Sequence, residues 1–144
     1  MIIKVPINQI NEYWEVIKYA ATKADMVKTE DVAAYNLELL FDLLNNKAQC
    51  LISFESFDRK INRVLIISFL QNKINGNKTM FFKTLYGFNT GSAEQWQKES
   101  MKIYQYAKQQ GCQNIEMSTM NPAIIKLAEE YGFNEMSKNY QITL

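Results

Sequence analysis

At 144 residues, 47% hydrophobic and 22% charged, the chain has the size and composition of one ordinary folded domain, with enough apolar side chain for a single core. Sixteen basic against fifteen acidic residues leave a formal charge of +1, which excludes an overall field drawing it to nucleic acid or to an anionic membrane. Histidine is absent altogether, so the usual general base, the usual partner of a nucleophilic Ser or Cys and the commonest zinc ligand are missing together, and no metal site is expected.

Taken in order, Ile2 to Val5 reads as a short strand ended by Pro6, which has no N–H to donate to a ladder. Asn8 then stands as the cap of a helix in which Ile10, Trp14, Ile17, Ala21 and Ala24 recur every three or four residues. A second helix starts at Thr29, with Glu30 and Asp31 in the first turn where negative charge suits the dipole, and presents Val32, Tyr35, Leu39, Leu40, Leu43 and Leu44. Three strands follow as a meander, about Gln49 to Glu55, Arg63 to Leu70 and Lys78 to Phe88, with Asn75 and Gly76 marking a tight turn before the last. Arg59, Lys60 and Arg63 read as a solvated loop. Another amphipathic helix carries Trp96, Ser100, Ile103, Tyr104 and Ala107 on one side.

The stretch from Gly111 to Phe133 is the most informative. A glycine turn leads into Ile115, Met117 and Thr119, which alternate as in a strand. Asn121 and Pro122 open a helix, since Asn caps free amides and Pro needs no partner at the first helical position. Ile124, Ile125, Ala128 and Tyr131 share its buried side, and Gly132 stops it with Phe133 folding back. The segment ending Tyr140, Gln141, Ile142, Thr143 and Leu144 is expected to add one or two antiparallel strands.

Cys50 and Cys112 lie outside any Cys-x-x-Cys spacing and read as reduced, buried thiols of a cytoplasmic protein. The amino terminus is too polar for a signal peptide, and no stretch approaches the roughly 20 apolar residues that span a bilayer. One domain over residues 1–144 is expected, with no membrane partner.

The spacing from Gly111 through Asn121 to Gly132 and Phe133 resembles the last conserved part of the GNAT-type N-acetyltransferases, and the resemblance covers essentially the whole chain. It implies an α/β (α+β) fold with four helices and a mixed, mostly antiparallel sheet of six or seven strands, in the order β-α-α-β-β-β-α-β-α-β(-β). It further implies a cleft between the fourth and fifth strands, with the pyrophosphate of acetyl-CoA on the amides opening the next helix, where helix dipole and free N–H groups favour phosphate. The family's Gln/Arg-x-x-Gly-x-Gly/Ala pattern falls here on Gly91, Glu94 and Trp96, an acidic and a bulky residue where glycines belong. Ser92 and Gln95 also have capping-box spacing, which would satisfy those amides internally. Tyr86, Phe88, Thr90, Gly91, Ser92 and Asn121 remain the cofactor-contact candidates.

The tyrosine that the family uses as acid is replaced by Ala128, leaving Tyr131 one turn further on as a candidate acid or a core residue. Glu55 and Glu116 are the candidate bases, because the fourth strand carries no carboxylate. Short GNAT-like proteins of tailed bacteriophages share the Trp-bearing first helix, a Trp in place of the pyrophosphate loop, the Gly-Cys entry into the fifth strand and the Gly-Phe exit. That likeness implies a non-catalytic binding, virion-associated or host-modulating protein with a protein partner, no nucleic acid and no cofactor, in the host cytoplasm or the virion. The alternative is an acetyl-CoA-dependent N-acetyltransferase with a divergent site.

Overall fold

The computed structural model describes residues 1–55, 58–89 and 92–144. Five strands and four helices follow one another along it: β1 (Ile2–Lys4), α1 (Ile10–Ala24), α2 (Val32–Leu44), β2 (Gln49–Phe54), β3 (Ile61–Gln71), β4 (Lys78–Gly87), α3 (Ala93–Gln109), β5 (Cys112–Met117) and α4 (Pro122–Glu130). Short 3-10 turns at Ile7–Gln9 and Thr29–Asp31 precede α1 and α2, and neither helix has a side-chain cap bond, so Asn8 and Thr29 do not act as caps.

The strands lie in one sheet in chain order, β1-β2-β3-β4-β5, antiparallel except for the parallel pair β4 and β5. Alternation sends Cys50, Ile52, Val64 and Ile66 to one face, where α1 and α2 cover them with Ile10, Ile17, Ala20, Ala21, Leu39 and Leu43. Ile17 is wholly buried and contributes about 1.5–3 kcal/mol by its removal from water. Leu51, Leu65, Ile67 and Met80 face the other way, onto Ile103 and Ala107 of α3.

One irregularity shapes the molecule. In the β3–β4 ladder Ile66 pairs with Thr84 and Ile67 with Phe82, so Lys83 is an extra residue without a partner. This β-bulge resets the alternation, putting Phe82 and Leu85 on the α3 side and Tyr86 on the α1 side. The β4–β5 ladder runs from Lys78 with Cys112 to Phe82 with Met117 and stops there, at the bulge. Beyond that point β5 has ended, and β4 runs on to Gly87 with no partner on this side.

The Gly111-to-Phe133 stretch folds largely as its sequence suggests. Asn121 caps α4 by accepting a hydrogen bond from the Ala123 amide at 3.0 Å, and Pro122 occupies the first turn. Gly132, at φ +84°, ends the helix while its amide and that of Phe133 donate to the Glu129 and Ala128 carbonyls, the paired bonds of a Schellman motif. Residues 134–144, by contrast, form no strand among the described residues, so the sheet has five strands rather than six or seven. The physical reason is local: the segment leaves Phe133 without a turn or bend that would bring it alongside β5. The turn before β4 is also longer than a tight hairpin. It spans residues 72–77, closed by the Asn72 amide on the Asn77 carbonyl at 2.8 Å, with Gly76 at φ +72°.

Candidate functional site

Where β4 and β5 part, α3 and α4 close over the gap and leave an apolar cleft lined by Phe82, Leu85, Trp96, Met117, Ala128 and Tyr131 among others. Its residual cavity is about 40 Å³, well below the roughly 300–1,000 Å³ of small-molecule sites. Trp96, in the first turns of α3, lines it, its ring 6.4 Å from that of Tyr131 at the end of α4. Tyr104, one helical stretch further along α3, also lines the cleft; burial, then the neighbouring Tyr131, raises its hydroxyl pKa.

Trp96 is held from below by Arg63 of β3, whose guanidinium carbon lies 3.9 Å from the indole centroid. Arg63 is 3% exposed and its Nη2 donates to Glu99 Oε2 at 2.8 Å; Glu99, on α3, is 4% exposed. Ser53 Oγ and Gln95 Nε2 donate to the other carboxylate oxygen at 2.6 and 3.1 Å, and the Met1 amino group stands 3.5 Å from it. Burial alone would raise the Glu99 pKa, but the Ser53 and Gln95 hydrogen bonds and the Arg63 charge outweigh it and hold the carboxyl below the ordinary range. Arg63 Nε and Nη1 have no hydrogen-bond partner among the described residues. The reading of Arg63 as a solvated loop residue is therefore wrong: it sits in β3, alternating with Leu65 and Ile67 on the buried face. Glu99 was not anticipated at all, although it lies one turn before Ile103 on the inward side of α3.

At the start of α3 one amide is engaged by a side chain of the same helix turn. Ser92 Oγ accepts from the Gln95 amide at 3.1 Å, and Glu94 adds a carboxylate to the first turn. Only half the capping box forms, because the Gln95 side chain turns inward to Glu99 instead of back to Ser92. Thr90 and Gly91 lie outside the described residues. Asn121 uses its carboxamide oxygen as the α4 cap.

The remaining candidates are scattered. Tyr86 and Phe88 turn from the cleft toward α1, where their rings are 6.0 and 5.9 Å from that of Tyr19. Glu55 accepts a hydrogen bond from Asn62 at the far end of β2, and Glu116 pairs with Phe81 on the sheet face opposite Phe82 and Met117. Of the three catalytic candidates only Tyr131 lines the cleft. No group of three or more His, Cys, Asp or Glu able to hold a metal occurs among the described residues. Among the described residues no helix is long and apolar enough to cross a membrane.

A mostly antiparallel sheet opened between a bulged fourth strand and a parallel fifth, with four helices in this order, is the GNAT acetyltransferase fold. Solved structures support this along the whole chain. An acetyl transferase assignment from Pyrococcus furiosus is 16% identical with a TM-score of 0.74, covering 100% of this chain and 99% of that one. An acetyltransferase of Clostridium acetobutylicum, assigned by prediction and solved with acetyl-CoA, is 13% identical with a TM-score of 0.72, over 99% and 95% of the two chains. A ribosomal-protein-alanine N-acetyltransferase of Brucella melitensis is 12% identical with a TM-score of 0.69, over 100% and 99%. No protein-family model and no curated protein matches the sequence.

Proposed function

We propose that this chain is an acetyltransferase fold kept for binding a protein partner rather than for acyl transfer. The observation that supports this most is the Arg63-backed Trp96 indole in the cleft, which leaves only about 40 Å³ free. Glu94 and the Ser92 cap add to it, because a diphosphate at the start of α3 would meet a carboxylate and an amide already engaged. These residues do not fit the pyrophosphate of coenzyme A. On the same reading the setting is a phage virion or the host cytoplasm, which rests on the sequence resemblance alone.

A second reading, N-acetyl transfer at a divergent site, is favoured by two observations. Tyr104 and Tyr131 bring two hydroxyl-bearing rings to one cleft, and the Clostridium acetobutylicum neighbour was solved with acetyl-CoA. Thermal melting with acetyl-CoA separates the two. Ligand at a hundred times its dissociation constant stabilises by about 2.7 kcal/mol, which moves the midpoint by several degrees in a domain of this size. An unchanged midpoint at millimolar acetyl-CoA is the expected result; a rise of that size overturns the binding-only reading.

A further inference from the structure

The second helix is apolar on two sides, and the fold uses only one of them. Leu39 and Leu43 of α2 are fully buried in the core that α1 and α2 form on the sheet. Ala33, Ala34, Leu37, Leu40, Phe41 and Leu44 make a second stripe, about 120° wide at 3.6 residues per turn, with no charged or polar side chain in it over three turns. This stripe is left largely open: Leu37 is 71% exposed, Phe41 54% and Leu44 43%. A surface helix with one apolar side is satisfied by its own core, whereas a second such side calls for a cover. The spacing of 33, 37, 40 and 44, alternately four and three residues, is that of a seam between two helices.

We propose that this stripe is a contact between two copies of the chain, whose α2 helices pack antiparallel across a two-fold axis. The distribution of size and charge along the stripe selects a second copy as the occupant. The bulky Phe41 and Leu44 lie toward its C-terminal end and the small Ala33 and Ala34 at its N-terminal end, so antiparallel packing sets large against small twice over. Glu30, exposed in the 3-10 turn ahead of α2 and seven residues before Leu37, makes one end acidic. Lys47, whose ammonium nitrogen lies 5.1 Å from the Phe41 ring centroid, makes the other end basic. With Ala33 opposite the partner's Leu44 and Leu37 opposite the partner's Leu40, Glu30 falls opposite the partner's Lys47, because all three pairs are centred on one point between Glu38 and Leu39. A single register therefore matches volume and charge together, and the two-fold repeats each match. A parallel pair would instead oppose lysine to lysine and glutamate to glutamate. Three turns of helix on each side make a small interface, at or below the roughly 1,200 Å² where standard ones begin, so the association is reversible and of micromolar strength. Since α2 covers the sheet face opposite α3, the contact is separate from the cleft and does not rest on its proposed use.

Sedimentation of the full chain from micromolar to millimolar concentration tests this, with the 16.8 kDa monomer expected to pass reversibly to twice that mass. Leu37→Glu puts a charge into the stripe without touching a buried side chain, and should hold the chain at the monomer mass throughout. Its circular dichroism and thermal midpoint at low concentration, where both proteins are monomeric, should match those of the unaltered chain, which separates lost pairing from lost folding. Charge reversal tests the register: Lys47→Glu should weaken dimerisation about tenfold, since the two-fold repeats the clash, and adding Glu30→Lys should restore it to within about threefold. A monomer at the highest soluble concentration, an association indifferent to Leu37→Glu or to Lys47→Glu, or a Lys47→Glu defect that Glu30→Lys does not repair overturns the proposal.

Discussion

Arg63 and Trp96 come from different elements 33 positions apart in the sequence, and the guanidinium lies over the indole with 3.9 Å between its carbon and the ring centroid. The same guanidinium is paired with Glu99, so one buried cation both neutralises a carboxylate and braces a ring that lines the cleft. Removing the arginine alone strands the carboxylate. Arg63→Met should therefore cost about 3–5 kcal/mol in urea unfolding. The double replacement of Arg63 and Glu99 by methionine should be less destabilised than either single variant, because the pair already carries two unmet guanidinium donors. Additive single effects would show that the two side chains are not coupled.

Acid should loosen this network with a definite sign. The Glu99 pKa is lower in the folded chain than in the unfolded one, so its stabilisation is complete above the unfolded value of about 4.3 and is lost as pH falls through the folded value. Unfolding free energy should thus drop more steeply below about pH 4.3 in the unaltered protein than in Glu99→Gln. Parallel curves for the two would remove Glu99 as the responsible group.

The two thiols should react very differently. Burial pushes the Cys50 thiol up to about 12, and no part of the residue is exposed, so it is inert in the folded chain. Cys112 is half-buried; burial raises its pKa and Lys78 partly offsets the rise. Alkylation at mildly alkaline pH followed by intact-mass measurement should give a single adduct, on Cys112, with the second appearing only in denaturant. Equal labelling of both would contradict the packing around β2.

Gly132 tests the stop of α4. Its φ of +84° suits glycine, and a Cβ placed there meets nothing within 4 Å, so Gly132→Ala carries only the backbone penalty. The loss should be about 1–2 kcal/mol in stability. A neutral substitution would mean that the helix end relaxes out of its Schellman bonds at no cost.

How much of this was legible in the sequence depended on whether the signal was local. The α4 unit was readable because cap, first-turn proline and terminal glycine are neighbours that act on one another. The place of Trp96 on the inward side of α3 was readable because its position is counted from Gly111 along one helix. Arg63, given the first place of a strand, was still taken as solvated because Arg59 and Lys60 beside it suggested a turn, although its alternation with Leu65 and Ile67 carried the correct answer. Glu99 needed its partners, and Ser53 and Arg63 lie 46 and 36 residues away, a pairing that one sequence does not disclose. The C-terminal strands failed for a further reason: alternation is visible in Tyr140, Ile142 and Leu144, but whether a sheet edge takes up such a segment is a property of the folded sheet and not of the segment.

The opening between the fourth and fifth strands finally comes down to counting. Lys83 makes β4 one residue longer than its neighbour can match, and that surplus alone decides which way every later side chain of the strand points. Deleting it would turn Leu85 toward α1 and Tyr86 toward α3, exchanging an aliphatic wall for a phenol. The character of this cleft is thus set less by the groups that line it than by the parity of the strand that carries them.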